Sequence, residues 1–232
     1  RESSKLLSKG IWITTNRQDK KDKNCDFWID NYGFIVENGI QLFNLEVFKL
    51  KGKHNIQNLL LATAAARKIG LTSNQISKSL KSYKQLPHRI ETIFRDKNIE
   101  IINDSKATNF DSTIASLNSI NSSIILICGG RIKNGDYKSW VDIIIKKVEM
   151  IFIYGESSEL LKEYLLKGGF DKNILIFKSL SEVVLDLHKY SKREDRRVIL
   201  FSPSCSSFDQ FRDYEERGNF FKDLISKSFL NQ

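Results

Sequence analysis

The chain contains little cysteine, histidine and proline, and these shortages exclude several classes of protein. Its 232 residues include three cysteines, three histidines and two prolines. Cys25, Cys128 and Cys205 lie far apart and no Cys-x-x-Cys pair occurs, which excludes a zinc ribbon or a thioredoxin-type redox motif. An odd number of isolated cysteines is typical of a reducing compartment. We therefore expect a cytoplasmic protein.

The sequence also lacks long apolar runs and clusters of one charge. No run approaches the roughly 18 apolar residues of a membrane-spanning helix, and no segment resembles a secretory signal. The net charge of +9 comes from basic residues scattered among acids, without the interleaved aromatics of RNA-binding domains. We therefore expect neither a membrane span nor a nucleic-acid partner. A positive net charge suits an enzyme that handles phosphates and carboxylates, because the electric field of the protein concentrates anions at its surface.

The first 85 residues predict strands followed by helices. Four short β-branched or aromatic runs are expected to form antiparallel strands: Ile11–Thr14, Phe27–Ile29, Phe34–Val36 and Val47–Leu50. Asn38-Gly39 is a strong signal for a hairpin turn. The apolar period then becomes helical, which predicts helices at Asn55–Ile69 and Ser73–Tyr83. Because the chain begins at Arg1 rather than at Met, we expect the later part of a longer protein.

Leu86-Pro87-His88-Arg89 marks the expected boundary between two domains, 1–85 and 86–232, because proline stops a preceding helix. The following alternation predicts an α/β fold, a Rossmann-like domain with a mostly parallel six-stranded sheet and helices on both faces. Strands are expected at Glu91–Phe94, Glu100–Asn103, Ser123–Cys128, Met150–Tyr154, Asn173–Phe177 and Arg197–Phe201. Helices are expected at Asp111–Ile120, Lys138–Lys147, Ser158–Leu166, Leu180–Tyr190 and Asp209–Phe229.

Polar loops follow three of these strands, and the carboxyl ends of parallel strands are where such sheets bind ligands. The first loop carries Asp104 and Lys106, with hydroxyl and amide side chains close by. The second begins with Gly129-Gly130 and reaches Lys133. The third is the hydroxyl-rich run Ser202–Ser207. We expect the three loops to converge on one cleft.

Each loop has a structural alternative to ligand binding. Asp104 suits ribose hydroxyls or a metal, and Lys106 suits a phosphate. The alternative is that the two residues form a salt bridge at a strand end. The glycine pair either forms an anion-binding concavity or a plain turn. Cys205 is expected to be a small, partly buried thiol, since no histidine base lies near it in the sequence. His88 is either a structural hydrogen bonder or a member of the site.

Five motifs, taken in order, carry a resemblance to a known family. They are Gly52-Lys53-His54-Asn55, Leu86-Pro87-His88-Arg89, Asn103-Asp104-Ser105-Lys106-Ala107-Thr108-Asn109, Gly129-Gly130-x-x-Lys133 and Ser202-Pro203-x-Cys205-x-Ser207-x-Asp209-Gln210-Phe211, followed by the tail Tyr214-Glu215-Glu216-Arg217-Gly218-Asn219. In this order they resemble the Mur ligases of bacterial peptidoglycan synthesis, and within them the branch that adds D-glutamate to UDP-N-acetylmuramoyl-L-alanine. The resemblance covers nearly the whole chain from about Lys51 onward.

The resemblance implies that residues 1–85 are the C-terminal part of a central ATPase domain and that residues 86–232 are the C-terminal, amino-acid-binding domain. It implies ATP and Mg²⁺ as cofactors. The phosphate-binding Gly-Lys-Ser/Thr loop and the main Mg²⁺ ligands would belong to a part that this chain lacks. The implied reaction joins D-glutamate to UDP-N-acetylmuramoyl-L-alanine through an acyl phosphate, and a monomer is expected to carry it out in the cytoplasm.

The same resemblance assigns roles to individual residues. Asn55 would contact the adenine, Arg89 the phosphates or ribose of the nucleotide, Asp104 the ribose side, and Lys106 the reacting phosphates. The positions that match those holding D-glutamate are Thr108, Lys133, Ser207 and Phe208, and Tyr214 matches an aromatic that flanks it. Lys106, Asp104 and Arg89 are the residues expected to act in catalysis.

Two alternatives remain open beside this assignment. One is a sister amide ligase that adds alanine, a diamino acid or folate glutamates. The other is a binding module that holds a nucleotide or an amino acid and catalyses nothing. The Ser-Pro-x-Cys-x-Ser-x-Asp-Gln-Phe run favours the D-glutamate branch, and the lack of a Gly-Lys-Ser/Thr loop predicts that the 232-residue chain is inactive alone.

Overall fold

The computed structural model describes residue 11 and residues 13–17, 25–48, 53–83, 86–133, 135–191 and 197–230. The chain divides into two compact units, Arg1–Gln85 and Leu86–Gln232. Each unit contains a hydrophobic core of its own. The assignment of the units to two domains of a ligase stays a prediction.

The first unit contains a four-stranded sheet whose strands lie side by side in chain order. The strands are β1 (Ile13–Arg17), β2 (Phe27–Ile29), β3 (Phe34–Glu37) and β4 (Ile40–Asn44). Asn38 and Gly39 both have positive φ and form the turn between β3 and β4, which confirms the predicted hairpin.

Two expectations for this sheet were wrong. β1 pairs with β2 in parallel, whereas β2, β3 and β4 are antiparallel. The expected strand at Val47–Leu50 is replaced by a 3₁₀ turn, Leu45–Val47, and residues 49 and 50 lie outside the described ranges. The strand that follows the Asn38-Gly39 turn is β4 instead, where no strand was predicted.

Two helices cover this sheet, α1 (Lys53–Lys68) and α2 (Ser73–Ser82). The α2 helix begins with a capping box, in which the Thr72 hydroxyl accepts from the Gln75 amide and the Gln75 side chain accepts from the Thr72 amide. The core between sheet and helices contains Phe27, Ile29, Ile35, Phe43, Leu59, Leu60, Ala64 and Ile76.

The second unit contains a six-stranded sheet in the order β5-β6-β10-β7-β8-β9. The strands are β5 (Glu91–Arg95), β6 (Ile99–Asn103), β7 (Ile124–Gly129), β8 (Val148–Tyr154), β9 (Asn173–Phe177) and β10 (Arg197–Ser204). Only β5 is antiparallel to its neighbour, and the other pairings are parallel. The predicted mostly parallel α/β fold is therefore confirmed.

Helices cover both faces of this sheet, as expected from the strand–helix alternation. They are α3 (Phe110–Ser119), α4 (Tyr137–Lys147), α5 (Ser158–Lys167), α6 (Leu180–Ser191) and α7 (Tyr214–Ile225). One core cluster packs α3, α4 and α5 against the sheet around Trp140 and Leu165. A second packs α6 and α7 around Val183 and Phe221. Across the described ranges, no helix combines the length and the apolar character needed to cross a bilayer.

The last helix begins five residues later than predicted, at Tyr214 rather than at Asp209. The carboxylate of Asp209 instead accepts a hydrogen bond from the Glu156 amide, which fixes it to the loop after β8. Asp213 then caps α7 by accepting from the Glu216 amide. A short π-helical segment, Ser226–Leu230, follows the helix. The delayed start leaves the residues after Ser207 as a turn at the edge of the sheet.

Candidate active site

The three polar loops of the second unit meet at one edge of the sheet. They follow β6, β7 and β10, which are parallel neighbours with β10 in the middle. The loops after β7 and β10 are joined directly, because Arg131 and Ser206 exchange backbone hydrogen bonds of 3.0 and 2.9 Å. The loops therefore lie side by side at the carboxyl ends of these strands, as expected, and a single cleft lined by all three stays a prediction.

The glycine pair is required by close backbone packing. A Cβ on Gly129 would lie 2.0 Å from the Tyr154 carbonyl oxygen, and one on Gly130 would lie 2.3 Å from that of Ser206. Both glycines also have φ above +120°. The Gly130 amide donates to Tyr154 and the Arg131 amide to Ser206, so these two donors are already used inside the protein. Of the two alternatives for this pair, the structure favours the packing turn.

Arg217 is a structural centre of the site that the sequence interpretation did not single out. It is fully buried, and its guanidinium donates to the Ser105 hydroxyl at 3.0 Å, the Ser105 carbonyl at 2.8 Å and the Cys205 carbonyl at 3.0 Å. The side chain therefore connects α7 to the first and third loops. A buried charge is tolerated only when its donors are satisfied, and here neutral oxygens do so. In the sequence, the feature that pointed to Arg217 was its place in the Tyr-Glu-Glu-Arg-Gly tail.

Asp104 lies under the first loop rather than on its surface, with 4% of the residue exposed. Its carboxylate accepts hydrogen bonds from Ser116 at 2.6 Å, Ser202 at 2.8 Å and the Ile90 amide at 3.2 Å. Burial raises the pKa of Asp104 to about 6, although these hydrogen bonds oppose the rise. The contacts organise the loop around the carboxylate, and its role beside a ribose stays a prediction.

Lys106 and Tyr214, two of the predicted site residues, are in contact. The Lys106 Nζ atom lies 3.7 Å from the centroid of the Tyr214 ring, which is a cation–π geometry. Lys106 is half-buried, and its amide donates to the His88 carbonyl at 3.0 Å. Tyr214 is the first residue of α7 and is also half-buried. The lysine is therefore presented by the first loop and covered on one side by an aromatic ring.

His88 serves as a structural hydrogen bonder. Its Nδ1 atom lies 3.0 Å from Nδ2 of Asn103, and the same Nδ2 atom donates to the Gly218 carbonyl. Because the Asn103 amide group donates at this atom, the His88 Nδ1 atom accepts, and a neutral ring carries its proton on Nε2. Burial lowers the pKa of His88, which favours that neutral form. A Cβ on Gly218 would lie 2.3 Å from Nδ1, so the ring needs a glycine opposite it.

The residues predicted to hold D-glutamate surround the joined loops. Thr108 is half-buried on the first loop, Lys133 is exposed beyond the second, and Ser207 is buried on the third. Phe208, next to Ser207, is 60% exposed. These residues stand on the same edge of the sheet as Lys106 and Tyr214, and their contacts with a ligand stay predictions.

Three residues remain: Asn55, Cys205 on the third loop, and Arg89, whose charge opposes the rise in the pKa of Asp104. Arg89 is exposed just before β5, and Asn55 is half-buried on α1 of the first unit. Cys205 is fully buried, and burial raises the pKa of its thiol to about 12, with Arg217 opposing the rise. A small, partly buried thiol was expected, and the thiol is fully rather than partly buried.

The residues of the candidate site differ in how well they suit a nucleotide phosphate and Mg²⁺. Lys106 presents a cation at the loop edge, which fits a phosphate. Within the parts of the chain that the structure describes, no three histidine, cysteine, aspartate or glutamate side chains are grouped to hold a metal ion. The described residues therefore fit phosphate oxygens and do not form a Mg²⁺ site by themselves.

Comparison with known sequences identifies close relatives, although no family model matches the chain. The chain is 56% identical over 229 residues to a UDP-N-acetylmuramoylalanine–D-glutamate ligase of Prochlorococcus marinus strain MIT 9515, covering 99% of this chain and 48% of the relative. It is 32% identical over 226 residues to the ligase of the same name from Synechococcus sp. strain CC9605, covering 97% and 49%. The chain thus spans about half the length of the curated relatives it matches.

Solved structures of Mur ligases have the same fold. A UDP-N-acetylmuramate–alanine ligase of Thermotoga maritima aligns over 92% of this chain and 48% of its own, with a TM-score of 0.62 and 17% identity. A murein peptide ligase of Psychrobacter arcticus 273-4 aligns over 98% and 48%, with a TM-score of 0.62 and 18% identity. Nearly the whole chain is therefore similar to the C-terminal part of UDP-N-acetylmuramoylalanine–D-glutamate ligases, and it has the fold of Mur ligases.

Proposed function

We propose that this chain is the C-terminal part of an ATP-dependent ligase that adds D-glutamate to UDP-N-acetylmuramoyl-L-alanine. The observation that carries the proposal is that three loops meet at one edge of the sheet and present Lys106, Lys133 and Ser207. The 56% identity to a ligase of that name supports it. The buried free cysteines support a reducing, cytoplasmic setting. We also infer that the protein is a monomer.

In the proposed reaction, the carboxylate of UDP-N-acetylmuramoyl-L-alanine attacks the γ-phosphate of ATP, which gives an acyl phosphate and ADP. The amine of D-glutamate then attacks the acyl carbon, and the C–O bond to phosphate breaks to form the amide. Positioning and neutralisation of phosphoryl charge account for most catalysis of such transfers. Mg²⁺, when bound, supplies part of that neutralisation.

The resemblance to Mur ligases implies the roles of this chain's residues on the nucleotide side. The ammonium of Lys106 would neutralise a phosphoryl oxygen, and the exposed guanidinium of Arg89 would bind the nucleotide. Asp104 would act from the ribose side, and Asn55 would contact the adenine.

The joined loops after β7 and β10 would form the amino-acid side of the site. Lys133 supplies a cation for a carboxylate of D-glutamate, and Thr108 and Ser207 supply hydroxyl donors. Phe208 would flank the bound amino acid, whereas the ring of Tyr214 contacts Lys106. Thr108 would add its hydroxyl from the loop after β6. Because backbone hydrogen bonds hold the loops after β7 and β10 together, the backbone of these two loops needs little reorganisation on binding.

A chimera tests the proposal. The N-terminal part of the Prochlorococcus marinus MIT 9515 relative is fused to this chain, which replaces its own C-terminal part, and the unmodified relative serves as the positive control. We expect phosphate release from ATP that requires both UDP-N-acetylmuramoyl-L-alanine and D-glutamate. A folded chimera that prefers L-alanine, lysine or diaminopimelate in an amino-acid panel would contradict the D-glutamate assignment and favour a sister ligase.

The 232-residue chain alone provides a second test. We expect it to release no phosphate from ATP, because its sequence contains no Gly-Lys-Ser/Thr loop to cradle the nucleotide phosphates. The measurement is phosphate release at the chimera's substrate concentrations. A rate near that of the chimera would refute the idea that the chain is only part of the catalytic machinery.

A further inference from the structure

The contact between Lys106 and Tyr214 is fixed from both sides by other groups. The Ser105 hydroxyl donates to the Tyr214 carbonyl at 2.8 Å, so the residue before the lysine is bonded to the residue that carries the ring. Arg217, one turn further along α7, donates to both the hydroxyl and the carbonyl of Ser105. Because these side-chain hydrogen bonds join the first loop to the start of α7, the lysine and the ring are held side by side before any ligand binds.

The ring itself is also oriented. His88 lies edge-on to Tyr214 with a centroid distance of 6.5 Å, and the Tyr214 hydroxyl donates to Glu215 at 2.8 Å. The Lys106 Nζ atom sits over the ring face at 3.7 Å. An ammonium in this position turns one side to the π-electrons, so an anion has to approach it from the opposite side. A flexible lysine is thereby restricted to one arrangement.

We infer that Tyr214 is a positioning residue for Lys106 and that it orients the ammonium toward a phosphate oxygen. The identity of this anion rests on the proposed function, whereas the contact itself does not. The aromatic ring is the active part of Tyr214, whereas its hydroxyl bonds to the neighbouring, exposed Glu215 and takes no part in the contact with Lys106. Tyr214 thus acts through the lysine rather than through the amino-acid substrate.

Three variants separate these roles. Tyr214→Phe keeps the ring and removes the hydroxyl, whereas Tyr214→Leu removes the ring and keeps an apolar side chain. Phe220→Leu is the matched control, because Phe220 is a partly exposed aromatic on the same helix that packs against Phe211. Circular dichroism and thermal unfolding establish that each variant is folded.

The first measurement is NMR on the 232-residue chain with isotope-labelled lysine. We expect the Lys106 methylene protons to be shifted upfield by the ring current, with the signal assigned by its loss in Lys106→Met. The shift should persist in Tyr214→Phe and Phe220→Leu and disappear in Tyr214→Leu. A Lys106 signal at the position of solvent-exposed lysines in the unmodified chain would overturn the inference.

The second measurement is a titration of the same chain with inorganic tripolyphosphate, followed by the Lys106 signal. We expect Tyr214→Leu to raise the apparent Kd for tripolyphosphate roughly tenfold. The Kd values of the other two variants should stay within about twofold of that of the unmodified chain. Equal affinity of Tyr214→Leu and the unmodified chain, or no response of Lys106 to the probe, would overturn the inference. Neither result depends on ligase activity.

The third measurement uses the chimera, where the inference predicts a split between kinetic constants. Tyr214→Leu should lower kcat by roughly tenfold and leave the KM for D-glutamate within about twofold. A raised KM for D-glutamate with unchanged kcat would show that the ring contacts the amino acid directly and would overturn the positioning role. If the chimera forms no product while both NMR results hold, the proposed function fails and the lysine–tyrosine pair stands.

Discussion

The loop after β6 and the loops after β7 and β10 are held in place by different kinds of interaction. The first loop depends on buried polar side chains, because its own Asp104 accepts from Ser116 and Ser202 and because Arg217 donates to it from α7. The other two loops depend on backbone hydrogen bonds and on glycines without side chains. The difference indicates that the first loop is sensitive to charge and pH, whereas the other two are sensitive to steric bulk.

The largest expected effect is steric and concerns the joined loops. Gly130→Ala places a Cβ 2.3 Å from a backbone oxygen of Ser206 at a φ of +123°, and neither backbone can yield easily. We expect a loss of about 3–5 kcal/mol in the free energy of unfolding, measured by chemical denaturation.

Gly169→Ala is the control for this prediction. Gly169 also has a positive φ, +91°, but a Cβ there meets no atom within 4 Å. The strain of the left-handed conformation alone should cost about 1–2 kcal/mol. Equal losses in the two variants would mean that backbone conformation, and not close packing of the loops, requires Gly130.

The next largest effect concerns the polar network under the first loop. Arg217→Leu removes a fully buried guanidinium and leaves the Ser105 and Cys205 carbonyl oxygens without these donors. We expect a loss of about 3 kcal/mol in the free energy of unfolding. Arg212→Leu is the control, since its side chain is 81% exposed, and it should change stability by less than about 0.5 kcal/mol. A loss below about 1 kcal/mol for Arg217→Leu would refute the network.

A pH effect follows from the buried carboxylate of the same loop. The pKa of Asp104 is about 6 in the folded chain, against about 3.9 for an aspartate in an unfolded one. Between these values the folded state binds more protons, so this group makes stability fall as pH rises from about 4 to 6. The expected contribution is about 2–3 kcal/mol.

The measurement is the free energy of unfolding across that pH range for the unmodified chain and for Asp104→Asn. The difference between the two curves isolates the carboxylate, and Asp111→Asn, at an exposed position, is the control. Parallel curves for the unmodified chain and Asp104→Asn would show that the carboxylate does not titrate in this window.

The smallest effect on stability is expected at Lys133, where the expected change is in substrate binding. This residue is exposed beyond the joined loops, so Lys133→Ala should leave the free energy of unfolding within about 0.5 kcal/mol. In the chimera it should raise the KM for D-glutamate roughly 10- to 100-fold, because a charge-assisted contact to a carboxylate is lost. Lys138→Ala, an exposed lysine on α4, is the control. Unchanged kinetics would remove Lys133 from the site.

Local patterns in the sequence were sufficient for most of the fold. The Asn38-Gly39 hairpin and the alternation of strands and helices after residue 86 depend on neighbours along the chain, and both were predicted correctly. The parallel pairing of β1 with β2 was not, because it depends on a partner chosen by packing. The late start of α7 has the same cause, since Asp209 is held by a hydrogen bond to Glu156, 53 positions earlier.

The sequence by itself determined which loops face the site, because a parallel sheet brings the carboxyl ends of its strands to one edge. It did not determine the function of each polar residue in those loops. Asp104 is buried among hydroxyls, Arg217 joins two loops to a helix, and Lys106 rests on Tyr214, all through contacts between residues about 90 or more positions apart. Such contacts depend on burial and on distances in three dimensions, and only the tertiary structure decides them.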